Sequence, residues 1–330
     1  MNILPSLIER FFTQRLIQQR DVSPHTVASY RDTFRLLLRF AQRELRKAPS
    51  SLTLADLNAP FVIAFLDDLE RERAISSATR NLRLTAIRAF FHFVAFDEPA
   101  HAGQAQQIMA NPGKITAKRE VHFLDRSEIE AILAAPDRAT WIGRRDHMLL
   151  LLAVQTGLRL SELTGLGRDA ISLDAGAHVR CVGKGRKARS TPLTRITRDA
   201  LRLWLREPPR REAAALFPTI HGGSLSPDAV QLLLAKHVAA AAEKSPSLRS
   251  KRVSPHVLRH SAAMALLGSG VDSAVISLWL GHESPASTQA YLHAHLALKE
   301  AALAKVQPVG EDKAGRFKPD DRLLTFLNGL

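Results

Sequence analysis

Cysteine is nearly absent from the chain. A single one, Cys181, among 330 residues excludes an intramolecular disulfide framework and any CxxC zinc site, and it fits a reducing compartment. No apolar run approaches the roughly 18 residues that a membrane-crossing helix needs. The opening residues, with Leu4, Pro5, Ile8, Glu9 and Arg10, lack the basic-then-apolar pattern of a secretion signal. A soluble, cytoplasmic protein with no membrane partner is expected. Acidic residues are also short, with Asp+Glu 32 against Lys+Arg 46, and the formal net charge of +14 points to a polyanionic partner. The acids do not cluster, which argues against two-metal phosphoryl transfer, because that chemistry holds its ions on Asp and Glu. Tyrosine is scarce too: there are 2, Tyr30 and Tyr291.

What is present is enough apolar material, 45% of the residues, to exclude disorder, and enough length for two domains. Residues 1–110 read as helices. Ser23 and Pro24 form a cap and a first-turn proline, after which Val27, Tyr30, Phe34, Leu37 and Phe40 recur at helical spacing, with Arg31, Arg35 and Arg39 alongside. Asn58 and Pro60 open a second helix. Ser77 opens a third, with Leu84, Ile87, Phe90, Phe91 and Val94 inside and Arg80, Arg83 and Arg88 expected outside. This is a helical bundle with a basic surface. Residues 111–122 include Pro112, Gly113 and Lys114, and read as a basic linker able to lie along a nucleic-acid backbone.

Asp125 and Glu128 have the spacing of a capping box and start a second region. Residues 146–154 read as a buried helix that breaks at Gly157, where Arg159 emerges with Glu162 as its candidate ion-pair partner. The period then shortens. Ile171 and Leu173, Val179 and Cys181, and Thr191 and Leu193 predict three short strands, with a basic hairpin tip at Lys184, Arg186, Lys187 and Arg189. The Gly-Lys-Gly there lacks Walker spacing. Helices return near 196–206 and after Ser226. Ser254 and Pro255 then start a helix that carries His256 and Arg259 in its first turn, where backbone N–H groups and the helix dipole suit an anion. A tyrosine activated by positive charge can attack a phosphodiester that arginines have neutralised. His256, His260 and His282 also raise the reading of a zinc hydrolase, but the pair at 256 and 260 lacks the Glu of HExxH and no spacing specifies a third ligand.

The motifs TGLRLSEL around Arg159, GKGRKAR around Lys184, HVLRH from His256 to His260, LGH ending at His282, and the downstream Tyr291 stand in the order found in tyrosine recombinases, the phage integrase family. Over residues 5 to 300 the chain resembles Xer recombinases and integrases borne by mobile elements. The resemblance implies a mainly α protein of two domains. One is an N-terminal, SAM-like core-binding helical bundle (1–110). The other is a C-terminal α+β catalytic domain (123–300) with a small three-stranded antiparallel sheet. It implies that Arg159 and Arg259 hold the scissile phosphate with His256 and His282, that Tyr291 is the nucleophile, that Lys184 is the general acid and that Glu162 supports Arg159. Arg31, Arg80, Arg83, Arg88, Lys114, Arg186 and Lys187 are expected to contact DNA. No metal, ATP or other cofactor is implied. The partners would be duplex DNA with inverted-repeat sites and further protomers forming a tetramer, with other recombinases as candidates. An inactive DNA-binding regulator and a type IB topoisomerase are the alternatives. The tail at 301–330 is expected to dock on a neighbouring protomer.

Overall fold

The computed structural model describes residues 3–116, 121–183, 187–208, 214–281, 288 and 291, and the chain divides into two compact units, residues 1–119 and 120–330. It is mainly helical. In the first unit α1 (Leu4–Arg10) runs into a π-helical stretch, Phe11–Gln19, and is followed by α2 (Pro24–Leu45), α3 (Ala59–Arg73), α4 (Ser77–Asp97) and α5 (Ala102–Ala110). Side-chain oxygens of Ser23, Asn58 and Ser76 accept from backbone N–H groups three residues on, so each of the three long helices starts on a polar cap. The third cap is Ser76, and the helix opens at Ser77 as the sequence suggested. The core is aromatic, with Phe34 and Phe11 both edge-on to Phe90 at centroid distances of 5.1 and 5.4 Å. Leu4, Leu7 and Leu16 are fully buried in it, so the segment from Leu4 to Leu16 belongs to the bundle.

The arginines of α4 correct the sequence reading. Arg80 is 5% exposed and pairs with Asp67 and Glu70. Arg83 donates to the Ser29 carbonyl at 3.1 Å and to Thr33 Oγ1 at 3.0 Å, and Arg88 donates to the Asn111 carbonyl. A guanidinium on a long aliphatic stem can cover an apolar face and still reach acceptors at its rim. These three therefore staple the bundle instead of forming a free basic face. The start of the linker is likewise held: Lys114 pairs with Glu70 at 2.7 Å and exchanges backbone hydrogen bonds with the Asn81 side chain.

The second unit begins with α6 (Arg126–Ala134), which carries the reciprocal Asp125–Glu128 capping box. The buried α7 (Trp141–Thr156) ends at Gly157, whose φ of 63° is the left-handed conformation that glycine adopts at no steric cost. A short α8 (Leu160–Thr164) leads to the strands β1 (Ile171–Ser172), β2 (His178–Val182) and β3 (Ala188–Pro192). They form one antiparallel sheet in the order β1-β2-β3, with Val179 opposite Thr191 and Cys181 opposite Arg189. Then come α9 (Arg195–Arg206), α10 (Pro227–Ala241), α11 (Pro255–Gly268) and α12 (Ser273–Leu280). Among the described residues no helix is long and apolar enough to cross a membrane.

A buried polar cluster ties α7 to α10. Asp146, 2% exposed, accepts from Arg145 Nη2 at 2.7 Å and from His237 Nε2 at 2.9 Å, and Arg145 also reaches the Pro218 carbonyl. Burial pushes the Asp146 carboxyl up, yet the hydrogen bonds from His237 and Arg145 outweigh it and hold the group below the usual carboxylate range. A carboxyl lowered on folding stabilises the fold above its unfolded value and loses that contribution as pH falls through the folded value. Asp146→Ala is expected to destabilise the protein by about 3–5 kcal/mol at neutral pH. In urea melts its deficit should shrink below about pH 4.

Candidate active site

Of the residues singled out in the sequence, Arg159, Glu162, His256, Arg259 and Tyr291 come together around the ends of α7 and α12 and the start of α11. Glu162, at the third position of α8, is 6% exposed. Its Oε2 accepts the backbone N–H of Arg159 at 2.7 Å, and its Oε1 accepts Arg159 Nη1 at 3.0 Å. Main chain and side chain of Arg159 are thus fixed by one carboxylate. Arg159 Nη2 donates to the Gly281 carbonyl at 2.8 Å, just past α12. The sequence had raised Glu162 as the partner of Arg159, and the geometry shows that contact.

What sequence reading left as part of a mobile basic tip is Arg189. Its Nη1 and Nη2 reach Glu162 Oε1 and Oε2 at 2.8 and 2.7 Å, the fork-to-fork arrangement that favours arginine over lysine. A signal was available: with Thr191 and Leu193 facing the core, a period of two puts position 189 on the same face. Burial pushes the Glu162 carboxyl up, but hydrogen bonds from Arg189 and from the Arg159 backbone hold it below its usual range. Two glycines make room. A Cβ on Gly183 would stand 3.0 Å from Glu162 Oε1, and one on Gly281, where φ is +64°, would stand 2.8 Å from Arg189 Nη1.

Arg259 approaches from α11. It is 3% exposed and donates to the Gly157 carbonyl at 2.6 Å and the Leu280 carbonyl at 2.7 Å, the C-terminal ends of α7 and α12, where the helix dipole is negative. Burial, and then the neighbouring Arg159, pushes its pKa down to about 10, so it stays charged at neutral pH. A guanidinium has five N–H donors, so two carbonyls do not exhaust it. Two cations crowded into a poorly hydrated place favour a bound anion. Burial, and then the same field, holds His256 below its usual pKa, favouring a neutral ring. His256 lies edge-on to His260 at 4.2 Å, and His260 Nδ1 stands 3.0 Å from the Tyr291 hydroxyl. Burial raises the Tyr291 phenol, and Arg259 and Arg159 only partly offset it.

Lys184, Arg186 and His282 lie outside the described residues, as does the tail at 301–330. Lys187 is exposed where β3 begins. In the first unit, Arg31 is exposed on α2 beside Asp32, and Arg35, Arg39, Arg73 and Arg83 line one open groove with Asp32 and Leu36. Arg80, Arg88 and Lys114 are occupied by the contacts described above.

With this geometry in hand, similarity to known proteins is informative. Residues 122–297 match the model of the phage integrase family, and residues 8–96 match the phage integrase N-terminal SAM-like domain. A Sinorhizobium fredii protein named by class as an integrase/recombinase, y4rC, is 57% identical over 99% of this chain and 98% of its own. The chain belongs to the phage integrase family. It is a site-specific recombinase of the tyrosine type. The tyrosine recombinase XerC of Azotobacter vinelandii is 33% identical over 94% of this chain and 97% of its own. The fold is shared with the Tn1549 transposon integrase in complex with a circular intermediate DNA, at a TM-score of 0.70 and 14% identity over 93% of this chain and 100% of that one. It is also shared with the XerH recombinase in a post-cleavage complex, at a TM-score of 0.63 and 22% identity over 87% of this chain and 81% of that one.

In this integrase-family site Arg189 acts on Arg159 through Glu162. Arg189→Ala is expected to slow single-turnover strand cleavage by about tenfold or more, the equivalent of about 1.4 kcal/mol. Gel-shift binding of DNA should be retained, and Arg189→Lys, which lacks the fork, should recover little.

Proposed function

We propose that this recombinase cuts and rejoins DNA through a 3′-phosphotyrosine formed on Tyr291, with neither metal nor ATP. The observation that carries the reading is the buried Tyr291 phenol in the field of Arg159 and Arg259, both of them anchored by backbone carbonyls. Arg159 and Arg259 would bind the non-bridging oxygens of the scissile phosphate, and His256 and His282 would complete the cradle. As Tyr291 attacks phosphorus, the bond to the 5′-oxygen breaks and Lys184 protonates that leaving oxygen. Glu162 keeps Arg159 in place. The phosphotyrosyl linkage conserves the bond energy, so the 5′-hydroxyl of another strand can reverse the step without a nucleotide cofactor. Repeating the exchange through a Holliday junction within a tetramer would recombine two duplexes at inverted-repeat sites.

For DNA contact the groove of Arg35, Arg39, Arg73 and Arg83 and the exposed Arg31 and Lys187 are better placed than Arg80 or Arg88, which are engaged within the bundle. Such contacts hold phosphates and do not read bases. A role in moving a mobile element is supported by the similarity to an integrase/recombinase over nearly the whole chain. Inverted repeats in the DNA flanking the gene would identify the site.

A nicked suicide substrate resolved on a denaturing gel tests the chemistry. Wild-type protein should form a covalent adduct in EDTA without ATP, and Tyr291→Phe should form none. An adduct persisting in Tyr291→Phe would sink the assignment. Arg159→Ala and Arg259→Ala should each slow adduct formation by about 10²- to 10³-fold while binding survives on the other basic contacts.

A further inference from the structure

The reaction leaves one proton without a destination. A phenol has an ordinary pKa near 10, and burial raises that of Tyr291 further. The attack therefore needs an acceptor within hydrogen-bond reach of the hydroxyl. The HVLRH motif ends in such a group. His260 follows Arg259 on α11, its ring lies 5.4 Å from the Tyr291 ring at 66°, and its Nδ1 is 3.0 Å from the phenol oxygen. His256, one helical turn earlier, packs edge-on against this imidazole at a centroid distance of 4.2 Å.

We propose that His260 is a catalytic residue of this recombinase, the general base that receives the Tyr291 proton as the phosphotyrosine forms. The assignment rests on the nucleophilic role given to Tyr291 above. With the ring's own proton on Nε2, Nδ1 accepts the hydrogen bond from the phenol. During cleavage the Tyr291 O–H bond breaks and its proton passes to Nδ1. The phenolic oxygen bonds to phosphorus, and the bond from phosphorus to the 5′-oxygen breaks, the leaving oxygen taking a proton from Lys184. During rejoining the incoming 5′-hydroxyl attacks phosphorus, its proton returns to Lys184, and His260 gives its proton back to the departing phenolate. One imidazole thereby serves as base in one direction and as acid in the other, and the exchange needs no outside reagent.

The surroundings support an acceptor here. The permanent cations acting on Tyr291, Arg259 and Arg159, stabilise the phenolate as it develops but have no lone pair with which to take a proton. Imidazole Nδ1 has one, and it is already in contact.

The test uses the full chain on the nicked suicide substrate, under single-turnover conditions. His260→Ala should slow adduct formation by about 10²-fold or more, the usual scale of general-base catalysis, with gel-shift affinity unchanged. His260→Asn places a hydrogen-bonding amide near the Nδ1 position but cannot take the proton, so it should hold Tyr291 and still cleave slowly. It also carries the test if the alanine variant folds poorly. Because the chain has only 2 tyrosines, growth on 3-fluorotyrosine alters Tyr291 and, in the other unit, Tyr30 alone. The more acidic fluorophenol should restore much of the lost rate in His260→Asn while changing the wild type little. Wild-type rates in both variants would overturn the proposal. So would a His260→Asn defect that fluorotyrosine does not relieve, since a positional role would be untouched by phenol acidity. An adduct that survives Tyr291→Phe fails the underlying reading instead, and is thereby distinguished from failure of the base assignment.

Discussion

Bringing the guanidinium groups of Arg159 and Arg259 into one site means holding like charges close together in a place largely closed to water. Burial and mutual repulsion both disfavour that, and the depressed pKa of Arg259 registers the strain. The structure resolves it with the Glu162 carboxylate and with backbone. Glu162 takes the main chain and side chain of Arg159 and the whole fork of Arg189, so one buried anion stands against two cations. Arg259 relies instead on the carbonyls that end α7 and α12. The fold of the second unit follows from that need. The buried α7 must stop at Gly157, α12 must stop at Leu280, and β3 must turn a charged residue inward.

Much of this was legible in the sequence because the local signals are strong. Caps at Ser23, Asn58, Asp125, Ser226 and Ser254 mark helix starts with known chemistry. The strand pattern from Ile171 to Leu193 placed the sheet within a residue or two at each edge, with Leu173 and Leu193 just outside the strands. The motif residues Arg159, Glu162, His256, Arg259 and Tyr291 meet across long stretches of chain, and no local pattern could report that meeting; the resemblance to a family of known architecture suggested it.

The misreadings share a physical cause. Arginine has a long apolar stem and a charged end, so helical spacing alone does not say whether it is solvated or folded inward. Arg80, Arg83 and Arg88 were read as surface, but Arg80 is held by Asp67 and Glu70, Arg88 by the Asn111 carbonyl, and Arg83 by Ser29 and Thr33 while it still lines an open groove. Arg189 was read as part of a basic tip and is a partly buried clasp on Glu162. Each burial depends on an acceptor far away in sequence, such as Asp67, Ser29 or Glu162. His260 is a similar case: in the sequence it stood only as the end of HVLRH and in the zinc reading, and its contact with Tyr291 appears only when residues 31 apart meet.

The anchors of Arg159 and Arg259 are main-chain oxygens at positions 157, 280 and 281. No substitution can remove a carbonyl, so the side chains nearby are free to drift over evolutionary time without unhooking either arginine. Leu278, 78% exposed on α12, is one such free position. Fragility is concentrated instead where the chain must pass close to a guanidinium. Gly281 stands against Arg189 with no room for a methyl group, and Gly157 would meet Leu280 at 2.6 Å. Directed evolution of this enzyme toward new DNA sites can therefore sample exposed positions of α12 such as Leu278, provided that both glycines and the buried Ile276 and Leu280 are kept.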